Sequence, residues 1–133
     1  MRQMQTQWRY FLTAVMFFTR VPVHFEQFEA SDLNRATRFF PLVGILVGAI
    51  AAIAFWIFQF VLPSEIAVIL SMVTSILLTG AFHEDGLADA IDGLGGGWER
   101  EQVLAIMVDS RIGSYGAIGL VMVLLAKFQA LIH

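Results

Sequence analysis

Residues 42–62 read Leu-Val-Gly-Ile-Leu-Val-Gly-Ala-Ile-Ala-Ala-Ile-Ala-Phe-Trp-Ile-Phe-Gln-Phe-Val-Leu, with no charged side chain among them. A run of about 21 residues meets the requirement of about 20 for an α-helix to cross a hydrocarbon core about 30 Å thick. It places the chain among multi-pass α-helical membrane proteins. The composition agrees: 58% of the 133 residues are hydrophobic, 14% are charged and twelve are Phe, with a mean hydropathy of +0.74. A soluble domain of this length would carry more charge. Within the run, Gly44 and Gly48 are four apart and Ala51 and Ala52 follow, which predicts one face small enough for close helix packing.

Working outward, Pro63-Ser64-Glu65 predicts a tight turn and a helix start, and Ile66 to Phe82 is a second apolar run. A third extends from Ile112 to Ile132, glycine-rich at its beginning, with Lys127 placed to snorkel or to face a polar interior. Before the first span, residues 8–18 are apolar but too short to cross, so an interfacial or re-entrant helix fits them. Pro22 ends that helix, and in the polar stretch from His24 to Arg38 either Ser31 or Asp32 is placed to cap a short helix. The expected fold class is therefore all-α. It has about three transmembrane helices plus an N-terminal interfacial or re-entrant helix, in a single membrane domain over residues 1–133. Arg2 and Arg9 ahead of an apolar run resemble a signal peptide, but Thr19-Arg20-Val21-Pro22 follows instead of a small-residue cleavage site.

The basic residues set an expected orientation. Arg2, Arg9, Arg20, Arg35 and Arg38 precede the first span, none lies at 63–65, and Arg100 and Arg111 fall in the next loop. By the positive-inside rule the N-terminus and the loop at about 83–116 share the cytoplasmic side. The net charge of −3 argues against a nucleic-acid partner. The absence of cysteine excludes disulfides, thiolate nucleophiles and thiolate metal sites.

That loop holds most of the chemistry. His83-Glu84-Asp85-Gly86-Leu87-Ala88-Asp89-Ala90-Ile91-Asp92-Gly93 is densely acidic, and on a helix Asp85, Asp89 and Asp92 fall within roughly a 60° arc. Carboxylates so placed repel one another unless a cation sits among them. Oxygen ligands suit a hard divalent ion such as Mg²⁺, which commonly uses one or two carboxylates together with substrate phosphates. If the second helix ran unbroken from Ile66 to Asp92 it would be about 40 Å long and would bring Asp89 and Asp92 out at the headgroup layer. Gly93, Gly95, Gly96 and Gly97 are then expected to break it, with a short helix from Trp98 toward Val108. Beyond lies Asp109-Ser110-Arg111-Ile112-Gly113-Ser114-Tyr115-Gly116, with a carboxylate, a guanidinium, hydroxyls, and glycines that let backbone N–H groups approach an anion. Metal ligands, a phosphate clamp and a candidate base are the components of phosphoryl transfer. Taken singly, an acidic helix end or an Asp109–Arg111 surface pair is ordinary. Their pairing across one loop favours a site. His83 is more simply an interfacial or hydrogen-bonded histidine, and His24 and His133 carry no inference. Arg20, Arg35 and Arg38 read first as topology determinants, with a phosphate contact as the second reading.

Phe18-Thr19-Arg20-Val21-Pro22-Val23, Phe40-Pro41-Leu42-Val43-Gly44, Thr79 to Asp89 and Asp109 to Gly116 resemble, in order, the motifs of the cobalamin synthase family, adenosylcobinamide-GDP ribazoletransferase. The resemblance implies a multi-pass enzyme of the cell inner membrane that needs Mg²⁺. It joins adenosylcobinamide-GDP to α-ribazole, or to its 5′-phosphate, and releases GMP. It also implies that this chain is the N-terminal half of a longer protein. Matched by position, Glu84, Asp85 and Asp89 would hold Mg²⁺ on the GDP pyrophosphate, with Asp89, Asp92 and Asp109 as the catalytic carboxylates. Arg111 and Ser114 would hold phosphate oxygens, with Arg20 and Arg38 as further substrate contacts. Which carboxylate takes the hydroxyl proton stays open, as does a homo-oligomer. A CDP-alcohol phosphatidyltransferase would show arginine where Asp89 stands. A divalent-cation transporter would place its ligands near the bilayer midplane.

Overall fold

The structure, a computed structural model, describes residues 2–23 and 30–133. The described residues are helical throughout: α1 (Arg2–Phe18), α2 (Ala30–Ala36), a 3₁₀ turn (Thr37–Phe39), α3 (Phe40–Phe58), α4 (Ser64–Thr79), α5 (Phe82–Gly96), α6 (Arg100–Met107) and α7 (Ser114–Ile132). The chain divides into two compact units, Met1–Gly80 and Ala81–His133.

In the first unit, α2, the 3₁₀ turn and α3 form a continuous helical stretch, of which Asp32–Phe58 is long and apolar enough to cross a membrane. It stops at Phe58, short of the expected Leu62, and residues 59–62 continue as turns whose N–H groups bond the Phe55, Ile57 and Phe58 carbonyls. α4 then packs antiparallel against α3, and Ser71 Oγ donates to the Ala51 carbonyl at 2.7 Å. The core under α1 is formed by Ala14, Val15, Ala36 and Val43, with Phe11, Phe18, Phe39 and Phe40 packed around it. α1 starts six residues before the expected Trp8, since its polar N-terminal turns extend a helix whose buried face is Tyr10, Thr13, Ala14 and Val15.

Three expectations for this unit change. A Cβ on Gly44 or Gly48 would meet nothing within 4 Å, so the glycine face is not the one α4 packs on. Asp32 is not a cap: it lies inside α2, 1% exposed, and its carboxylate accepts from Arg9 Nη2 at 3.0 Å. The Ser31 alternative falls on a side chain outside those described. The helix from Ile66 is also not continuous to Asp92. Gly80 (φ 68°) and Ala81 (φ 61°) are both left-handed, which ends α4 at Thr79. The Arg20 N–H donates to Leu78 O at 2.8 Å, and the Arg20 guanidinium lies where a Cβ on Gly80 would be. Helix length therefore no longer sets the depth of Asp89 and Asp92. α4 and α5 reach a spanning length only taken together across the break, which gives two spans or three.

In the second unit α5 packs against α6 and α7. Gly93, Gly95 and Gly96 do not break α5 but lie within it, and only Gly97 ends it. A Cβ on Gly93 would collide with Met107 and the Val103 carbonyl, one on Gly95 with the Tyr115 ring, and one on Gly119 with Ile91. The glycines are there because neighbouring helices approach their backbone closely. The short helix after Trp98 forms as expected, as α6. α7 is the second helix long and apolar enough to cross a membrane.

Candidate functional site

α5 is helical from Phe82 to Gly96, so Asp85, Asp89 and Asp92 do share one face. Their surroundings differ along it. Asp85 is exposed, Asp89 is half-buried and Asp92 is 8% exposed. Glu84 and Asp85 occupy the first turn of α5, where carboxylates interact favourably with the helix dipole whether or not a ligand is present.

Asp92 is engaged within the protein. Its Oδ2 accepts the Gly113 N–H at 2.7 Å and its Oδ1 the Gly116 N–H at 2.8 Å. The first N–H groups of a helix have no intrahelical acceptor. One carboxylate from α5 therefore caps the start of α7, which fixes the two helices against each other. A Cβ on Gly113 or Gly116 would strike this carboxylate, and at Gly116 the Ala88 carbonyl as well. The glycines expected to admit an anion do so, and the anion is Asp92 itself.

Asp109 and Arg111 form a bidentate pair. Arg111 Nη2 donates to Oδ2 at 2.6 Å and Nε to Oδ1 at 3.0 Å. The Arg111 backbone N–H adds a bond to Oδ1 at 3.1 Å. These hydrogen bonds hold the Asp109 carboxyl down at a pKa of about 2 and raise that of the Arg111 guanidinium. A cleft of about 470 Å³ gathers Asp92, Asp109, Arg111, Ser114 and Tyr115. Ser114 and Tyr115 open α7, so their N–H groups also have no intrahelical acceptor.

Of the residues expected in the site, the cleft thus brings together Asp92, Asp109, Arg111 and Ser114, while Glu84, Asp85 and Asp89 lie along α5 outside its lining. Arg20 and Arg38 belong to the first unit. Among the described residues, no three Asp, Glu or His side chains converge as a metal-holding group. The donor set still suits a hard cation: it is all oxygen, and Glu84 Oε2 is buried without a hydrogen-bond partner among the described residues. Tyr115, from the same stretch, also lines the cleft, its ring lying where a Cβ on Gly95 would be.

A family model described as cobalamin-5-phosphate synthase matches residues 10–133. The adenosylcobinamide-GDP ribazoletransferase of Shewanella amazonensis is 56% identical over 122 residues, which is 91% of this chain and 47% of that protein. Its namesakes in Shewanella oneidensis and Shewanella frigidimarina are 56% and 54% identical over 92% of this chain. The chain spans about half the length of the curated relatives it matches, 47% to 48%. No solved structure matches it.

Proposed function

The chain belongs to the cobalamin-5-phosphate synthase family, and on that premise we propose that it serves adenosylcobinamide-GDP ribazoletransfer. In this reaction the 5′-hydroxyl of α-ribazole, or of its 5′-phosphate, attacks the phosphate attached to cobinamide. A new P–O bond forms, the bond to GMP breaks, and the hydroxyl proton goes to a carboxylate. The observation that carries this is the cleft of the second unit, where a fixed guanidinium, a hydroxyl and a helix N-terminus meet.

Arg111 is held by Asp109 through Nε and Nη2, which leaves Nη1 to take a phosphate oxygen. The Ser114 hydroxyl and the Ser114 and Tyr115 N–H groups, which Asp92 does not occupy, take others. Because these donors are set before substrate arrives, little reorganisation is needed as charge develops on the transferred phosphate. Asp92 serves the helix cap and Asp109 is a weak base at a pKa of about 2. Asp89 is therefore the carboxylate assigned to accept the proton. Glu84, Asp85 and Asp89, which do not converge among the described residues, are the carboxylates that would have to close on Mg²⁺. The ion would supply charge neutralisation for the departing phosphate. Arg20 belongs to the first unit, where it packs on Gly80, and Arg38 is assigned to a phosphate of different origin below. The positive-inside pattern supports a multi-pass inner-membrane placement with this site on the cytoplasmic side.

The test is Mg²⁺-dependent GMP release from adenosylcobinamide-GDP and α-ribazole by the full-length protein in membranes, wild type against Asp89→Asn. A loss of about 10² or more in rate is expected for the variant. Equal rates would remove Asp89 from both roles, and no release by wild type would overturn the reaction.

A further inference from the structure

In the first unit, a polar cleft and an apolar groove meet at Gln7. The polar cleft, about 450 Å³, is lined by Thr6, Gln7, Tyr10, Asn34, Arg35, Thr37 and Arg38. The groove, about 520 Å³, is lined by Gln7, Trp8, Phe11, Phe39 and the α3 residues Leu42, Ile45, Leu46 and Ala49. Those four α3 residues fall at i, i+3, i+4 and i+7, a single stripe about 10 Å long that leads away from Arg38.

The cleft is built on the buried ring of Tyr10, 3% exposed. Arg35 Nη1 donates to its hydroxyl at 2.7 Å, and the Arg38 guanidinium lies 5.2 Å from its centroid and 5.4 Å from that of Phe39. The Arg9 guanidinium beside them is matched by Asp32. Arg38 has no carboxylate partner among the described residues and is exposed. Aromatic stacking orients a guanidinium and leaves its N–H edge free to bind a phosphate. Positive charge next to a polar cleft suits an anion. An apolar stripe continuing from that cleft along a membrane-spanning helix suits a hydrocarbon chain.

We propose that this composite surface is a binding site for one anionic phospholipid, its phosphate held by Arg38 and an acyl chain lying along Leu42, Ile45, Leu46 and Ala49. A water-soluble phosphate would fill the cleft but leave the groove empty. An annular lipid would fill the groove without choosing its headgroup. A phospholipid uses both. The site belongs to the first unit and is independent of the transfer chemistry assigned to the second.

The experiment is native mass spectrometry of the full-length protein released from nanodiscs of equal dioleoylphosphatidylglycerol and dioleoylphosphatidylcholine. One phosphatidylglycerol retained per chain, in preference to phosphatidylcholine, is expected. Arg38→Gln should lower that preference about fivefold, Arg38→Lys, which keeps the charge without the stacked guanidinium, should recover part of it, and Ala49→Trp should remove retained lipid of either kind by filling the groove. Circular dichroism checks that each variant is folded, and the Gln and Lys pair decides the matter if Ala49→Trp is not. Lipid retained without headgroup preference, or a preference unchanged in Arg38→Gln, would overturn the proposal. So would displacement of the lipid by millimolar inorganic phosphate or GDP, which would assign the cleft to a soluble ligand.

Discussion

Replacing Asp92 separates a structural carboxylate from a chemical one. In the folded protein both of its oxygens accept backbone N–H groups, at 2.7 and 2.8 Å, in a position 8% exposed. A hydrogen bond to a charged group contributes about 1.5–3 kcal/mol, and a buried donor left without a partner costs about as much again as a neutral bond gains. Asp92→Ala removes both bonds and leaves a small void, so a loss of about 3–5 kcal/mol is expected. Asp92→Asn keeps one accepting oxygen but turns an amide N–H₂ toward the second backbone N–H, for a loss of about 2–3 kcal/mol. If opening of the α5–α7 contact follows that loss, the Gly113 and Gly116 amides should exchange about 30- to 150-fold faster in Asp92→Asn. Hydrogen exchange in detergent, read peptide by peptide, measures this. Activity should fall together with protection. Unchanged exchange at Gly113 and Gly116 with activity abolished would refute the capping role and return Asp92 to the chemistry.

Further outcomes are expected. Gly116→Ala puts a methyl against the Asp92 carboxylate and the Ala88 carbonyl and should cost about 1–3 kcal/mol. Gly44→Ala, where nothing lies within 4 Å, should be neutral or stabilising by up to about 1 kcal/mol, and paired thermal melts would compare them. Asp109 should titrate near its value of about 2, and Arg111→Gln should move the midpoint toward the ordinary carboxylate value of about 4, as read by carboxyl-carbon NMR. Because the folded-state pKa is the lowered one, whatever the pair contributes to stability is present above about pH 4 and lost as pH falls through about 2. Between pH 5 and 9 this pair should therefore add no pH dependence.

The apolar runs were legible because a helix in lipid is specified by composition over some 20 residues, and α3 and α7 follow from that alone. Local boundaries were less so. Nothing in Thr79-Gly80-Ala81-Phe82 marks Ala81 as left-handed, since alanine there is held by its surroundings rather than by preference. The glycines from 93 to 97 read as a breaker because propensity disfavours them in helices. Close approach of Val103, Met107 and Tyr115 overrides that. Spacing correctly put Asp85, Asp89 and Asp92 on one face, but spacing cannot tell a ligand from a cap. The difference lies 21 residues on, in the Gly113 N–H that Asp92 meets.

That contact bears on how the site is held together. Residues 109–113 run between two carboxylate anchors: Asp109, which binds the Arg111 side chain and backbone N–H, and Asp92, which binds Gly113. Asp89 sits one helical turn before Asp92 on the same α5 face. The separation between the proposed base and the proposed phosphate ligands Arg111 and Ser114 is therefore set in part through one buried side chain. Displacements of about 1 Å in such a pair can cost about 100-fold in rate. Loosening the Asp92 cap should then lower kcat more than it raises KM, because ground-state phosphate contacts tolerate a shift that in-line attack does not. A substitution at Arg111, proposed above as a phosphate ligand, should raise KM as well.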